Sequence, residues 1–215
     1  MTFASLPHQN QPVARAGQPL AEAAGAMILV HGRGATAASI LQLGAELAHP
    51  ELSYLAPQAA GNSWYPYSFL SPIEQNQPGL DSGLARLGEL VAEVAAAGIP
   101  MERLILAGFS QGACLSAEFV ARNPRRYGGL LVFSGGVIGP PGMARDDKGD
   151  LAGTPVFIGC SDVDAHIPLG RVQETSAIMR ALGGEVTERI YPGMPHTIIQ
   201  PEIDEANQIV GTLFN

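Results

Sequence analysis

Short apolar runs that alternate with amphipathic stretches constrain this sequence more than any other feature. Most of the runs are almost continuously apolar, as parallel strands covered on both faces are, whereas the last one alternates like a strand nearer a sheet edge. This alternation predicts an α/β fold with a mostly parallel central sheet and helices on both faces. The predicted strands are Ala26–His31, Leu52–Ala56, Arg103–Phe109, Gly129–Ser134, Pro155–Cys160 and Val186–Tyr191.

Helical periodicity and stop signals predict the elements between the strands. Leucine and valine recur at three- and four-residue spacing up to Gly98 and Pro100, which end one helix. Residues 58–79 and 137–153 hold most of the turn signals and are predicted as loops, and neither is a lid domain. An edge strand is expected around Pro12–Arg15. The predicted helices are Ala37–Ala48, Leu80–Ala97, the stretch after Ser110 to Arg122, Leu169–Leu182 and Pro201–Leu213.

Composition limits the class of protein. The chain has 215 residues, 46% of them hydrophobic and 15% charged, which predicts one globular domain over residues 1–215. A formal charge of −8 with scattered basic residues argues against a nucleic-acid partner. No signal peptide or membrane-spanning run is evident, so a cytoplasmic protein without membrane insertion is expected. Cys114 and Cys160 form no CxxC pair and are expected to be buried free thiols in a reducing compartment.

A G-x-S-x-G pentapeptide carries the strongest chemical signal. Gly108-Phe-Ser-Gln-Gly112 follows an apolar strand and precedes a helical run, which is the strand–turn–helix context of a nucleophile elbow. The two glycines relieve crowding around a strained turn that exposes the Ser110 hydroxyl. The residue after the nucleophile supplies one oxyanion donor in such an elbow, here the backbone N–H of Gln111. Ser110 is therefore the predicted nucleophile.

A serine nucleophile needs a base and an acid, which follow it in the order acid, then histidine, in this type of fold. His196 lies directly after the last predicted strand and is favoured as the base, and His166 is more consistent with a pocket or surface position. Two carboxylates compete just past the strand Pro155–Cys160. Asp164 is favoured because it leads into a proline before a helix, whereas Asp162 suits the capping of a turn.

Four linked segments resemble the phospholipase/carboxylesterase family of small α/β-hydrolases, which includes acyl-protein thioesterase-like enzymes and bacterial carboxylesterases. They run in the family's order from about residue 26 to the C-terminus. They are Val30-His-Gly-Arg-Gly-Ala after the first buried strand, Gly108-Phe-Ser-Gln-Gly-Ala at the elbow, Asp164 through Pro168, and Gly193-Met-Pro-His.

The resemblance implies roles for individual residues. It implies Ser110 as nucleophile, Asp164 as acid and His196 as base, with backbone N–H groups of Arg33 and Gln111 as the oxyanion hole. The sequence departs from the pattern at Arg33, where many members carry leucine. Two interpretations of its side chain remain open: a guanidinium at the pocket rim that favours an anionic or polar substrate group, or a side chain that points to solvent or pairs with a carboxylate.

The pocket is expected to include four further residues. Trp64 and Tyr65 lie in an aromatic segment that approaches the pocket in this family; Trp64 is favoured as a lining residue, and Tyr65 is placed there with core packing as an equal alternative. His31 is assigned to the same region and is more consistent with fixing the oxyanion loop than with moving protons. Met194 of the histidine loop completes this set.

These features predict a serine hydrolase that cleaves small carboxylic esters through an acyl-enzyme, without a cofactor or a metal ion. A small-molecule ester is the expected partner, and the resemblance makes a homodimer plausible. Two alternatives stay open: an acyl hydrolase for thioesters, lysophospholipids or lactones, and a hydrolase fold that binds a ligand without catalysis.

Overall fold

The computed structural model describes residues 6–214, which form a seven-stranded sheet with helices on both faces. The strand order is β1-β3-β2-β4-β5-β6-β7, and only β1 runs antiparallel to its neighbour. The predicted fold class is thereby confirmed. The strands are β1 Val13–Gly17, β2 Gly25–Val30, β3 Leu52–Pro57, β4 Leu104–Phe109, β5 Gly129–Phe133, β6 Pro155–Ser161 and β7 Glu185–Tyr191, and the helices are α1 Ala37–Glu46, α2 Gly79–Ala96, α3 Gln111–Arg122, α4 Leu169–Ala181 and α5 Gln200–Thr212.

The sheet separates two hydrophobic cores because successive side chains of a strand point to opposite faces. In β2, Ile28 and Val30 pack with α2, α3 and α4, whereas Met27 and Leu29 pack on the other face with α1 and α5. Every residue of β2 is buried. This explains why the central strands have continuously apolar sequences.

The predicted elements agree with the observed ones to within about two residues at each end, which is the usual uncertainty of such boundaries. β1 occupies one edge of the sheet, as the Pro12–Arg15 segment predicted, and β7, whose sequence alternates, occupies the other. Residues 1–5, which belong to the N-terminal segment of that prediction, lie outside the described part of the chain. Cys114 and Cys160 are buried and unpaired, as expected.

Both long connections are ordered by specific contacts. The first contains two short 3₁₀ helices, Ala60–Asn62 and Ile73–Asn76. The second is tied to α3 by the buried Glu118 carboxylate, which accepts hydrogen bonds from the Ile138 N–H and from Arg145. Over residues 6–214 there is no inserted lid domain, and no helix in that range has the length and hydropathy needed to cross a bilayer.

The carboxyl ends of three parallel strands bring the predicted site together. Ser110 follows β4, Asp162 and Asp164 follow β6, and His196 lies in the loop between β7 and α5. Open α/β sheets bind their ligands at this edge because the loops after parallel strands converge there.

Candidate active site

The nucleophile elbow is a strained turn between β4 and α3. Ser110 has φ 56° and ψ −119°, a conformation that a residue with a side chain rarely adopts. The flanking glycines are required by contact: a Cβ on Gly108 would lie 2.5 Å from the backbone of Gly112, and a Cβ on Gly112 would collide with the carbonyl of Val30. The turn places the serine hydroxyl at the open end of the sheet.

A continuous hydrogen-bonded line joins the three predicted triad residues. His196 Nε2 lies 2.9 Å from Ser110 Oγ, and His196 Nδ1 lies 2.6 Å from Asp164 Oδ2. Because a carboxylate only accepts hydrogen bonds, the histidine Nδ1–H donates to it, and Nε2 is left to accept from the serine hydroxyl. The structure thus brings Ser110, His196 and Asp164 together in the arrangement of a nucleophile, a base and an orienting acid.

The environment of Asp164 favours its ionised form. Burial raises the pKa of this carboxyl, but hydrogen bonds from His196 and from the backbone N–H groups of His166 and Ile167 outweigh it and leave the pKa below its ordinary value. The Asp164 side chain is fully buried, so water does not compete for these bonds. A charged carboxylate is therefore available to the imidazole.

Asp162 has a different partner from Asp164. Its Oδ1 accepts a hydrogen bond of 2.8 Å from the backbone N–H of Gly193, a residue with φ 69° in the loop that carries His196. The turn-capping role considered for Asp162 is not the one observed, because the Ser161 hydroxyl accepts from the Val163 N–H in that turn and Asp162 bonds a separate loop. It connects the loop after β6 to the loop after β7.

Two backbone N–H groups are unengaged beside the nucleophile. Those of Arg33 and Gln111 donate to no acceptor within residues 6–214. Gln111 is the first residue of α3, where the helix leaves its N–H groups unpaired and its dipole favours negative charge. The arrangement supports the predicted oxyanion hole because both donors belong to residues that line the same cavity as Ser110.

A cavity of about 630 Å³ opens over Ser110. Aromatic and aliphatic side chains form much of its wall, and a smaller number of polar groups, among them those of Ser110 and His196, face the same space, as is usual in a small-molecule site. The lining residues are Gly32, Arg33, Ala35, Tyr65, Pro66, Tyr67, Ser68, Phe69, Phe109, Ser110, Gln111, Cys114, His166, Ile167 and His196. Residues 63–69, which supply much of one wall, are called the aromatic loop below.

Tyr65 lines this cavity, whereas Trp64, His31 and Met194, which were also assigned to the pocket, are buried and are not among its lining residues. The indole N–H of Trp64 donates to the carbonyl of His31, so the ring packs beneath the oxyanion loop rather than facing the cavity. Met194 follows the Gly193 turn and is only 6% exposed.

His31 has the structural role considered for it. Its Nε2 accepts from the Ala59 N–H at 3.1 Å, so the ring is neutral and its Nδ1–H donates to the Gly32 carbonyl at 2.8 Å. Burial lowers the pKa of this imidazole, which keeps it neutral. His8 accepts from the neighbouring Ala60 N–H in the same way, and nothing in its own sequence context indicated this.

Arg33 is exposed and lines the cavity, so it lies at the pocket rim, where the first of the two interpretations placed it. It forms no ion pair with a carboxylate in the described part of the chain, and it donates three hydrogen bonds to the aromatic loop. Tyr67 and Phe69, which belong to the aromatic segment considered for the pocket wall, line the cavity, whereas Phe109 was not predicted to do so. Its place directly before the nucleophile in the elbow motif was a local signal for it.

No group of three or more histidine, cysteine, aspartate or glutamate side chains within residues 6–214 is arranged to hold a metal ion. A serine with a hydrogen-bonded imidazole, a buried carboxylate and two backbone donors can attack a carbonyl carbon and hold the resulting oxyanion.

Comparison with known proteins gives consistent matches. The model of the Phospholipase/Carboxylesterase family matches residues 13–213. The crystal structure of a phospholipase/carboxylesterase from Dyadobacter fermentans is 46% identical, with a TM-score of 0.90 and coverage of 96% of this chain and 97% of that one. The Bacillus cereus carboxylesterase shares the fold, with a TM-score of 0.73 at 19% identity and 96% coverage of both chains.

Among curated proteins, acyl-protein thioesterase 1 of Eremothecium gossypii is 31% identical over 144 residues. That match covers 65% of this chain and 60% of the thioesterase, so the chain spans less than two thirds of the length of this relative.

Proposed function

The chain belongs to the phospholipase/carboxylesterase family of α/β-hydrolases, and on that premise we propose that it is a serine hydrolase that cleaves small carboxylic esters. The observation that carries the proposal is the hydrogen-bonded line Ser110–His196–Asp164 beside a cavity with two unengaged backbone N–H groups. Such a constellation is recognised by its geometry and by the role of each group.

In the proposed first half-reaction, Ser110 Oγ attacks the ester carbonyl carbon while His196 Nε2 accepts the hydroxyl proton. The carbonyl oxygen becomes an oxyanion that accepts hydrogen bonds from the N–H groups of Arg33 and Gln111. Collapse of the tetrahedral intermediate breaks the bond to the alcohol oxygen, which takes the proton from His196. The acyl group remains on Ser110 and the alcohol leaves.

In the second half-reaction, water replaces the alcohol. His196 accepts a proton from the water as its oxygen attacks the acyl carbon. Collapse of the second intermediate breaks the bond to Ser110 Oγ, which takes the proton back from His196, and the carboxylic acid leaves. Asp164 holds the imidazole in the tautomer that this sequence of transfers requires, and its negative charge stabilises the imidazolium in each half.

Thioester hydrolysis is the second candidate. It is favoured by the similarity to a protein named acyl-protein thioesterase 1, and the same acyl-enzyme mechanism applies with a thiol as the leaving group. The cavity has no lid within residues 6–214, so it admits either kind of leaving group. The two candidates differ in substrate and not in the residues used.

A labelling and turnover experiment tests the proposal. A fluorophosphonate probe should label the wild-type protein on Ser110, and Ser110→Ala should abolish labelling and lower turnover of short p-nitrophenyl esters by several orders of magnitude. Ser116→Ala, a buried serine farther along α3, is the matched control and should keep both properties. Turnover of Ser110→Ala within about tenfold of wild type would refute the proposal.

A panel of short acyl esters and the matching acyl thioesters, assayed beside Ser110→Ala, separates the two candidates. The proposal expects a higher kcat/KM for the esters. The reverse order would assign the chain to thioester hydrolysis, with the same nucleophile.

A further inference from the structure

The aromatic loop is held from two sides by the residues that supply the oxyanion donors. The Gln111 side chain accepts a hydrogen bond from the Trp64 N–H at 2.9 Å and donates one to the Tyr65 carbonyl at 2.9 Å. The Arg33 guanidinium holds the next part of the loop. Both residues have an unengaged backbone N–H and line the cavity, and their side chains hold the loop that forms one of its walls.

The contacts of Arg33 are numerous and well formed. Its Nη1 donates to Ser63 Oγ and to the Pro66 carbonyl, both at 2.9 Å, and its Nη2 donates to the Tyr67 carbonyl at 2.7 Å. The guanidinium carbon also lies 5.9 Å from the centre of the Tyr65 ring, within the range of a cation–π contact. A planar guanidinium presents its donors in a rigid fork, whereas the ammonium of a lysine carries its three donors on a single nitrogen at the end of a flexible stem.

The outer part of the loop needs such contacts because burial does not fix it. The Tyr67 side chain is 58% exposed although it lines the cavity. Asn76 holds the same segment from within the protein, accepting from the Tyr67 N–H and donating to the Ser68 carbonyl. Within residues 6–214 only Arg33 donates hydrogen bonds to the carbonyls of Pro66 and Tyr67, so it determines how this wall faces the cavity.

The wall that is fixed in this way is aromatic. Tyr65, Tyr67 and Phe69 of the loop and Phe109 of the elbow all line the cavity, and no carboxylate of the described residues does. Rings of this kind make favourable contacts with a planar hydrocarbon group, provided that they are held at a constant position.

We propose that Arg33 is a specificity-determining positioning residue, whose guanidinium holds Pro66 and Tyr67 so that the aromatic loop selects esters carrying a compact aromatic group. The proposal rests on the ester-hydrolase function given above and adds the substrate class. It assigns the guanidinium to the protein's own loop, and not to an anionic group of the substrate.

Selectivity in two variants tests the role. Arg33→Met removes the charge and the donors, and Arg33→Lys keeps the charge but loses the planar fork. The measured quantity is the ratio of kcat/KM for benzyl acetate to that for ethyl acetate, and for ethyl phenylacetate to that for ethyl propionate. A ratio cancels any effect on the oxyanion hole that both substrates share.

Wild type should favour the aromatic ester in at least one pair, and both variants should lower that ratio by at least about fivefold, mainly through KM of the aromatic ester. Ser63→Ala removes one acceptor of Arg33 without changing residue 33, and it should shift the ratio in the same direction by less. A ratio that Arg33→Lys retains and Arg33→Met loses would assign the effect to charge and overturn the proposal, as would a wild type without aromatic preference.

A second measurement does not depend on turnover. Amide hydrogen exchange over residues 64–71 should accelerate in both Arg33 variants, with no change over α3. If exchange accelerates but Ser110 proves not to be a nucleophile, the ester-hydrolase proposal fails and the positioning role stands. If Ser110 is the nucleophile and exchange is unchanged, the role of Arg33 is refuted.

Discussion

Glu202 is a fully buried carboxyl group just beyond the loop that carries His196, and it makes the stability of this protein depend on pH. Its Oε2 accepts a hydrogen bond from the Ile199 N–H at the start of α5, while its Oε1 has no hydrogen-bond partner within residues 6–214. Burial raises its pKa from 4.5 to about 7, against the opposing effect of the Ile199 bond.

The sign and size of the effect follow from the difference between the folded and unfolded pKa of Glu202. Below about pH 4.5 both states hold the proton, and between that value and about 7 only the folded state does, so stability falls as pH rises. Above about pH 7 the carboxyl group is ionised in both states, and the loss of stability from burying its charge no longer changes with pH. At about 1.4 kcal/mol per pKa unit, the free energy of unfolding should lose roughly 2.5 kcal/mol from this group between about pH 5 and pH 8.

Glu202→Gln tests this prediction because glutamine keeps an acceptor for the Ile199 N–H and does not titrate. The buried amide N–H groups of the glutamine lower the stability of the variant by an amount that does not vary with pH. The informative quantity is therefore how the difference in unfolding free energy between the variant and wild type changes with pH. Urea unfolding at several pH values, followed by the fluorescence of the buried Trp64, measures it. The variant should gain roughly 2.5 kcal/mol relative to wild type from about pH 5 to pH 8.

Asp204→Asn is the matched control, since Asp204 lies on the exposed side of the same helix. Its difference from wild type should vary by less than about 0.5 kcal/mol across the range. A Glu202→Gln difference as flat as that of the control would show that the buried carboxyl titrates normally, and the reasoning from burial would be wrong.

Three further predictions concern the site and its support. Asp164→Asn should lower kcat for a p-nitrophenyl ester by about four orders of magnitude. Asp162→Asn keeps an acceptor for the Gly193 N–H, so its kcat should stay within about tenfold of wild type. Equal losses in the two variants would contradict the assignment of Asp164 as the triad acid. Gly112→Ala should lower the free energy of unfolding in urea by on the order of 3 kcal/mol, because the added Cβ would collide with the end of β2. Gly170→Ala is the control: its Cβ would enter open space, so this variant should be as stable as wild type or more stable. Burial lowers the pKa of His8, so only the unfolded state gains a proton as pH falls below about 6.5. The free energy of unfolding of wild type should therefore fall relative to that of His8→Gln from about pH 7 to pH 5. A rise over this range would contradict the lowered pKa.

The fold was predictable because its central strands are buried on both faces. A strand such as β2 is encoded by a continuous apolar run and needs no knowledge of its neighbours. The elbow was predictable for a similar reason, since Ser110, Gly108 and Gly112 satisfy a local steric requirement within five residues. Strand ends and helix caps shifted by a residue or two, which leaves the position of the site unchanged.

The pocket was less predictable because the direction of a side chain depends on partners far away in the chain. Trp64 and Tyr65 are adjacent and both apolar, yet one is buried beneath the oxyanion loop and the other lines the cavity. The difference depends on the His31 carbonyl, which takes the indole N–H, and on contacts of His8 with Trp64 across more than fifty residues. No local pattern in residues 63–69 contains this information.

The two aspartates after β6 have different hydrogen-bond partners and therefore different roles in the site. Asp162 Oδ1 accepts from the Gly193 N–H, and Asp164 Oδ2 meets the His196 ring, so both carboxylates join the loop after β6 to the loop after β7. The sequence narrowed the triad acid to these two positions because the acid must follow that strand. Which of them reaches the imidazole depends on the path of the intervening turn, where the Ser161 hydroxyl accepts from the Val163 N–H. Both carboxylates therefore position His196, the proposed base. Asp162 does so through the backbone of the loop that carries His196, and Asp164 does so through the imidazole ring.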